Sequence, residues 1–210
     1  MTTCHKCQLH QTTKVHIPPT VTTPAPLFRK VYVDTMFMPI AASFRYIVQA
    51  RCSLSAWPEW HTLRSETGHT LRAFIFEEIL CRWGAVEELV TNNGTAYVAA
   101  LDWLATKYDI RHIRISAYNS WANGIIKRQH CTIQESLVKA CAGNISKWPT
   151  LAPLVFWADC VTTRKSMGYS PFYVAHGVEP ILPFDIILAT FLVPDLCQPL
   201  STAELLAIHT

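Results

Sequence analysis

The fold is decided by the stretch Val31-Tyr32-Val33-Asp34-Thr35-Met36-Phe37-Met38, which ends immediately before Pro39. β-branched and aromatic residues at this density predict a strand, because they pack well on a pleated surface. Asp34 is the one charged residue of the stretch. A carboxylate among apolar strand neighbours usually faces solvent or a buried partner, and the alternative is a metal ligand. Asp34 is therefore the first candidate functional residue.

Together with this first strand, the sequence predicts three consecutive strands, followed by alternating helices and strands. Phe44–Arg51 has the composition of a second strand, and Cys52–Leu63 contains a third that includes Pro58. Helical periodicity and glycine stop signals then predict helices over Glu66–Trp83, Ala96–Tyr108, Asn123–Ala142 and Trp148–Met167, with strands over Val86–Thr91 and Ile110–Ile115. This order predicts an α/β domain built on a mixed sheet flanked by helices.

The predicted core spans residues 31–168, between two proline-containing segments. Residues 1–30 are Thr- and Pro-rich and predict an extended lead-in. Residues 169–210 contain Pro171, Pro180, Pro183 and Pro194, which predict an irregular extension packed on the core.

Composition is that of a globular domain. The 210 residues are 50% hydrophobic and 16% charged, which excludes a disordered chain, a coiled coil and a collagen-like repeat. A chain of this length buries a core without needing disulfides or a structural metal. The sequence has no run of about 18 apolar residues, so no membrane span is expected. The first thirty residues lack a secretory-signal pattern, and we expect an intracellular domain.

Charge is concentrated in one region. The net charge is +3, but nine basic and three acidic residues lie between Lys107 and Lys165. A basic middle section suits a phosphate-binding face, and the alternative is a helix with a solvated basic side.

Of the eight cysteines, only Cys4 and Cys7 have the spacing of metal ligands, in Cys4-His5-Lys6-Cys7. Two cysteines are half a zinc site, since structural zinc requires four ligands. The remaining cysteines are interpreted as small apolar residues.

A second candidate position ends the predicted strand Val86–Thr91, in Thr91-Asn92-Asn93-Gly94. Asn-Asn-Gly fits a plain turn. A side chain at the end of this strand could also reach the same point in space as Asp34.

Three ordered segments together resemble the retroviral-type integrase catalytic core. Val31–Thr35 with Pro39 resembles its first strand, and Thr91–Tyr97 resembles a motif written T-D-N-G-x-x-F/Y. Ile115–Arg128 resembles the third motif, Y-H/N-x-x-x-N-G-x-x-E-R, which opens a helix. Downstream, Gly168–Phe172 and Gly177–Pro180 resemble integrases of gypsy-class LTR retrotransposons, as carried by fungal genomes. The resemblance extends from about Cys4 to Pro194.

The resemblance implies an RNase H-like fold and polynucleotidyl transfer to DNA. Such integrases use three carboxylates to hold two divalent cations, Mg²⁺ or Mn²⁺, that activate the nucleophile and stabilise the leaving oxygen. The first carboxylate carries over to Asp34, the predicted catalytic residue and metal ligand. The second and third catalytic positions hold Asn92 and Lys127.

These two replacements predict that catalysis is lost or strongly impaired. Asn92 retains a carbonyl oxygen that can contact a metal, but it has no charge. Lys127 places an ammonium where a carboxylate should attract a cation, and two unit charges about 4 Å apart interact by about 4 kcal/mol at an effective dielectric of 20. We interpret the chain as a degraded copy of the element.

Nucleic-acid binding does not need metal ligands, because backbone contacts depend on basic and polar groups. The candidate DNA-binding residues lie along the third motif and its helix: Arg114, Tyr118, Asn119, Asn123, Lys127, Arg128 and Lys139. RNA is an alternative nucleic acid.

The resemblance also implies a homo-oligomer and a nuclear location. The zinc module of such integrases has a histidine pair upstream of its CxxC, and only three residues precede Cys4. Cys4 and Cys7 are therefore interpreted as a remnant of that module. Two other interpretations remain open, which are a non-enzymatic or domesticated nucleic-acid-binding module, and a remnant with no selected role.

Overall fold

The computed structural model describes residues 25–115, 124–182 and 185, without the side chains of residues 124–128. Its sheet has five strands: β1 (Lys30–Ala41), β2 (Phe44–Cys52), β3 (Pro58–Leu63), β4 (Glu88–Asn92) and β5 (Arg111–Ile115). Their spatial order is β3-β2-β1-β4-β5. The strands β1, β2 and β3 are antiparallel, whereas β4 and β5 run parallel to β1. The sheet is therefore mixed, as the order of the predicted elements indicated.

Helices occupy the long connections that parallel strands require. Between β3 and β4 lie α1 (Gly68–Phe74), a π-helical turn (Ile75–Leu80) and α2 (Cys81–Trp83). The connection from β4 to β5 is α3 (Thr95–Tyr108). After β5 come α4 (Gly124–Cys141), a short 3₁₀ turn (Ile145–Lys147), α5 (Trp148–Val161) and α6 (Pro171–His176). None of the described helices is long and apolar enough to cross a membrane.

Each face of the sheet carries its own apolar cluster, because successive side chains of a strand point to opposite faces. On one face, Val33 and Val48 pack with Ile75 and Leu101 from the α1–α3 layer. On the other face, the cluster joins β1 and β2 to α4 and α5; its members include Met36, Met38, Ile47, Ile133, Leu137, Trp148 and Phe156. Asp34 has the same strand parity as Met36 and therefore faces α4.

Two predicted boundaries near the carboxyl end are wrong. The helix predicted over Trp148–Met167 ends at Val161, because Thr162 takes an extended backbone conformation and Arg164 turns back to receive a backbone hydrogen bond from Gly168. The segment predicted to be irregular contains α6, which begins at Pro171 after a Ser170 cap. Proline at the first helical position fits there because its missing N–H has no helical acceptor.

Candidate functional site

The site forms where β1 and β4 separate. The two strands pair in parallel up to Tyr32 and Val90, and Asp34 and Asn92 each lie two residues beyond that pair. The Asn92 Nδ2 donates a hydrogen bond of 3.1 Å to Asp34 Oδ1. Asp34 is only 7% exposed. The structure therefore brings together the first and second positions of the predicted catalytic set.

The orientation of the Asn92 amide is fixed by Gly94. The Gly94 backbone N–H donates to Asn92 Oδ1 at 2.9 Å, and an N–H requires an oxygen acceptor. The amide nitrogen must then point the other way, toward Asp34. A Cβ at position 94 would lie 2.9 Å from Asn92 Oδ1, so glycine allows this turn to close. The Asn92 oxygen, which the sequence predicts can contact a metal, accepts the Gly94 N–H in this structure, and the amide nitrogen faces Asp34 instead.

Two other described residues, Thr35 and His130, also lie against Asp34. The Thr35 backbone N–H donates to Asp34 Oδ1 at 3.0 Å, and His130 Nδ1 lies 3.7 Å from Asp34 Oδ2. Sequence reasoning missed His130. The available signal was its position three residues after Lys127, which places both on one face of α4.

The third predicted position, Lys127, belongs to α4. The side chain of Lys127 lies outside the described residues. Helical periodicity places its Cα one turn before His130, which contacts Asp34. The backbone of α4 therefore brings position 127 toward the same site.

A divalent cation does not fit the donor set of this site. Mg²⁺ and Mn²⁺ bind through oxygen ligands that are free to accept, whereas Asn92 presents a donor N–H to Asp34. In the described part of the chain, no group of three or more His, Cys, Asp or Glu residues could hold a metal ion. The predicted metal ligand Asp34 is therefore held by protein donors.

Behind Asp34, a buried polar network crosses from β2 to α5. Gln49 pairs with Asp34 in the β1–β2 register and accepts a hydrogen bond from Arg51. Asp159 of α5 binds Arg51 at 2.8 Å and Arg164 at 2.7 Å. Arg164 also donates to Gln129 Oε1 at 2.8 Å. The network thus ties α4 to α5 and to the sheet immediately beside the site.

Burial shifts the pKa of Arg51 in this network and of Cys160, which follows Asp159 in α5. Desolvation lowers the pKa of Arg51, and the Asp159 carboxylate opposes that shift. Desolvation, with the nearby Asp159 charge, raises the pKa of Cys160 to about 12. Cys160 is a neutral thiol at physiological pH and is not a nucleophile, because nucleophilic cysteines need a lowered pKa.

A second hydrogen-bond chain supports the end of β4 from β5. His112 Nε2 lies 2.8 Å from the Thr91 hydroxyl, and that hydroxyl donates to the Asn92 carbonyl oxygen. Arg114 Nε donates to His112 Nδ1 at 3.4 Å. These contacts require a neutral imidazole with its proton on Nε2. Accordingly, desolvation and the Arg114 charge lower the pKa of His112.

We expect His112 to make stability depend on pH. Because its pKa is lowered in the folded state, the unfolded chain binds a proton more readily, and stability is lost as pH falls from above 6.5 through the folded pKa. His112→Gln keeps a donor and an acceptor but does not titrate. Chemical denaturation between pH 7.5 and 5 should show a smaller loss of stability for this variant than for the unaltered chain. Parallel pH profiles would contradict the assignment.

The predicted nucleic-acid contacts divide into three groups. Arg114 forms an ion pair with Asp102 at 2.7 Å, so part of its charge is already neutralised. Lys139 is exposed on α4, nine residues and about 14 Å along the helix from His130. Three others, Tyr118, Asn119 and Asn123, lie outside the described residues, as do the side chains of Lys127 and Arg128. The predicted zinc remnant, Cys4 and Cys7, also lies outside the described residues.

Sequence reasoning also missed basic side chains that lie over aromatic rings. Arg45 lies over the exposed Phe37 ring at 5.6 Å, and Arg64 lies over Phe44 at 5.8 Å. Arg72 lies 4.5 Å from the centre of the Trp103 ring. These contacts depend on strand register and helix packing, so composition gave no signal for them.

Relatives of the chain are retroviral and transposon polyproteins, although no protein-family model matches. The chain is 33% identical over 138 residues to the Gag-Pol polyprotein of Koala retrovirus, covering 65% of this chain and 8% of that polyprotein. It is 28% identical over 173 residues to the retrovirus-related Pol polyprotein from transposon 412 of Drosophila melanogaster. This match covers 79% of this chain and 14% of that polyprotein. The chain thus spans about a tenth of the length of these relatives.

Solved structures with a similar fold are integrase structures. A chain of the simian T-cell lymphotropic virus intasome complex matches with a TM-score of 0.67 and 16% identity, covering 95% of this chain and 68% of that one. The catalytic core domain of BIV integrase matches with a TM-score of 0.57 and 18% identity, covering 70% of this chain and 93% of that domain. These likenesses confirm the RNase H-like fold. With the sequence similarity to Pol polyproteins, they support an integrase catalytic core.

Proposed function

We propose that this chain is the core domain of an LTR-retrotransposon integrase that binds DNA and no longer catalyses strand transfer. The observation that carries the proposal is the hydrogen bond from Asn92 Nδ2 to Asp34 Oδ1. It lies at the ends of two parallel strands, where the sequence resemblance puts the first two carboxylates. An amide donor at the second position faces Asp34 where a ligand oxygen would be needed.

The gypsy class, of the kind carried by fungal genomes, is the finer part of the proposal. It rests on Gly168–Phe172 and Gly177–Pro180, and the similarity to a Drosophila transposon polyprotein supports an element of the transposon type. A nuclear location and a homo-oligomer are proposed on the same resemblance.

DNA binding is supported by basic side chains without an ion-pair partner among the described residues. They include Arg45, Arg64, Arg72, Lys107, Lys139, Lys147 and Lys165. Such groups can neutralise phosphates without help from a metal. Divalent ions are therefore not required for binding.

The test is the affinity for a labelled DNA duplex, measured by fluorescence anisotropy at several salt concentrations. With about four phosphate contacts, Kd should rise about 100-fold between 50 and 200 mM salt. EDTA should leave Kd unchanged. A competing RNA duplex in the same titration decides between the two nucleic acids.

A matched pair of variants locates the binding face. Lys127→Ala/Arg128→Ala should weaken binding at every duplex sequence and reduce the salt slope, by about 1 for each phosphate that the variant no longer neutralises. Lys30→Ala is the control, because Lys30 pairs with Glu88 at the opposite end of the sheet. An equal weakening in both variants, or an affinity that does not depend on salt, would overturn the proposal.

A further inference from the structure

We infer that the side-chain amide of Asn92 occupies the electrostatic role of a cation at Asp34, so that the site reaches its final geometry without divalent metal and does not bind it. The inference concerns the stability and metal affinity of the site, and it does not depend on nucleic-acid binding. It starts from the direction of the Asn92 amide, which Gly94 fixes.

The described contacts of Asp34 come from three directions, and two of them are hydrogen bonds from N–H donors. Along its own strand, the Thr35 backbone N–H donates to Oδ1. From β4, the Asn92 amide donates to the same oxygen. From α4, His130 Nδ1 approaches Oδ2 at 3.7 Å. A nearly buried carboxylate is stabilised by such donors, because hydrogen bonds replace the water that it loses.

Asparagine and aspartate have nearly the same shape. Replacing Asn92 with aspartate therefore tests the role of the Nδ2 donor alone. An aspartate at position 92 could keep the Gly94 contact with one oxygen. Its second oxygen would then stand where Nδ2 now stands, 3.1 Å from Asp34 Oδ1. Two carboxylate oxygens at that distance repel each other unless a cation lies between them. Asn92 removes this repulsion and with it the need for a cation.

The strand beside Asp34 adds no competing acidic group at this register. Gln49 is the β2 residue opposite Asp34, and its Oε1 accepts from Arg51. The carboxylate of the buried network, Asp159, is held between Arg51 and Arg164. The negative charge of Asp159 is therefore compensated by Arg51 and Arg164.

The test compares thermal unfolding of the full chain in EDTA and in millimolar MnCl₂. The Tm of the unaltered chain should be the same in both. Asn92→Asp should lower the Tm in EDTA by about 5 °C. In Asn92→Asp/Lys127→Ala, which lacks the ammonium expected to repel a cation, MnCl₂ should restore most of that loss. Calorimetric titration of the unaltered chain with MnCl₂ should show no binding, which tests the inference without any variant.

Asn93→Asp is the matched control, because it adds the same charge at the neighbouring exposed position. Its Tm should fall less than that of Asn92→Asp and should not recover with MnCl₂. The inference is overturned if Asn92→Asp is as stable in EDTA as Asn93→Asp. It is also overturned if MnCl₂ binds to and stabilises the unaltered chain, with Asp34→Asn abolishing the effect.

Discussion

Asp159→Asn should destabilise the fold by about 3 to 5 kcal/mol, because it leaves buried guanidinium groups without a counter-charge. Asp159 is 9% exposed, and Arg51 is 1% exposed. One carboxylate oxygen binds Arg51 and the other binds Arg164. Asparagine can accept with one oxygen only, and its amide nitrogen would face a guanidinium donor.

Urea denaturation measures this effect, and Asp102→Asn supplies the control. Asp102 also pairs with an arginine at 2.7 Å, but both side chains are about half exposed. Exposed pairs of this kind contribute about 0 to 1 kcal/mol. Similar destabilisation of the two variants would mean that burial does not determine the strength of the Asp159 network.

Asp159→Asn should also destabilise α4, because Arg164 binds both Asp159 and Gln129 of α4. Gln129 precedes His130, which contacts Asp34. Hydrogen exchange in the first half of α4 should therefore rise more in Asp159→Asn than in Asp102→Asn. We therefore expect the network to stabilise the packing of α4 at Gln129 against α5 and the sheet.

The sequence was sufficient to predict the order of strands and helices, and the reason lies in local signals. Strand residues such as those of Val31–Met38, helical periodicity and glycine stops act within about ten residues. The structure confirms a mixed sheet flanked by helices. The end of α5 was missed because Arg164 contacts Gln129 of α4, which local sequence signals do not indicate.

The site was predictable only in part, because its chemistry depends on contacts between distant residues. Motif spacing placed Asp34 and Asn92 near one another, 58 positions apart in sequence. It could not give the direction of the Asn92 amide, which depends on Gly94. Nor could it indicate Asp159, whose partner Arg51 lies 108 residues away.

If catalysis is lost as proposed, restoring both carboxylates should produce metal-dependent DNA nicking that is absent from the unaltered chain. Asn92→Asp/Lys127→Glu replaces an amide and an ammonium with the two acids that the family resemblance implies. At about 4 Å and an effective dielectric of 20, one charge pair contributes about 4 kcal/mol, which corresponds to about a thousandfold in rate. Nicking of a labelled duplex in MnCl₂ should therefore rise at least that much.

Both positions must change together, because each supplies a different side of the site. Position 92 ends β4 beside Asp34, and position 127 lies on α4 one turn before His130. Asn93→Asp/Lys127→Glu makes the same change in charge with one acid misplaced, and it should remain inactive. Nicking by the unaltered chain that Asp34→Ala abolishes would contradict the loss of catalysis. It would show that other groups had replaced the two carboxylates.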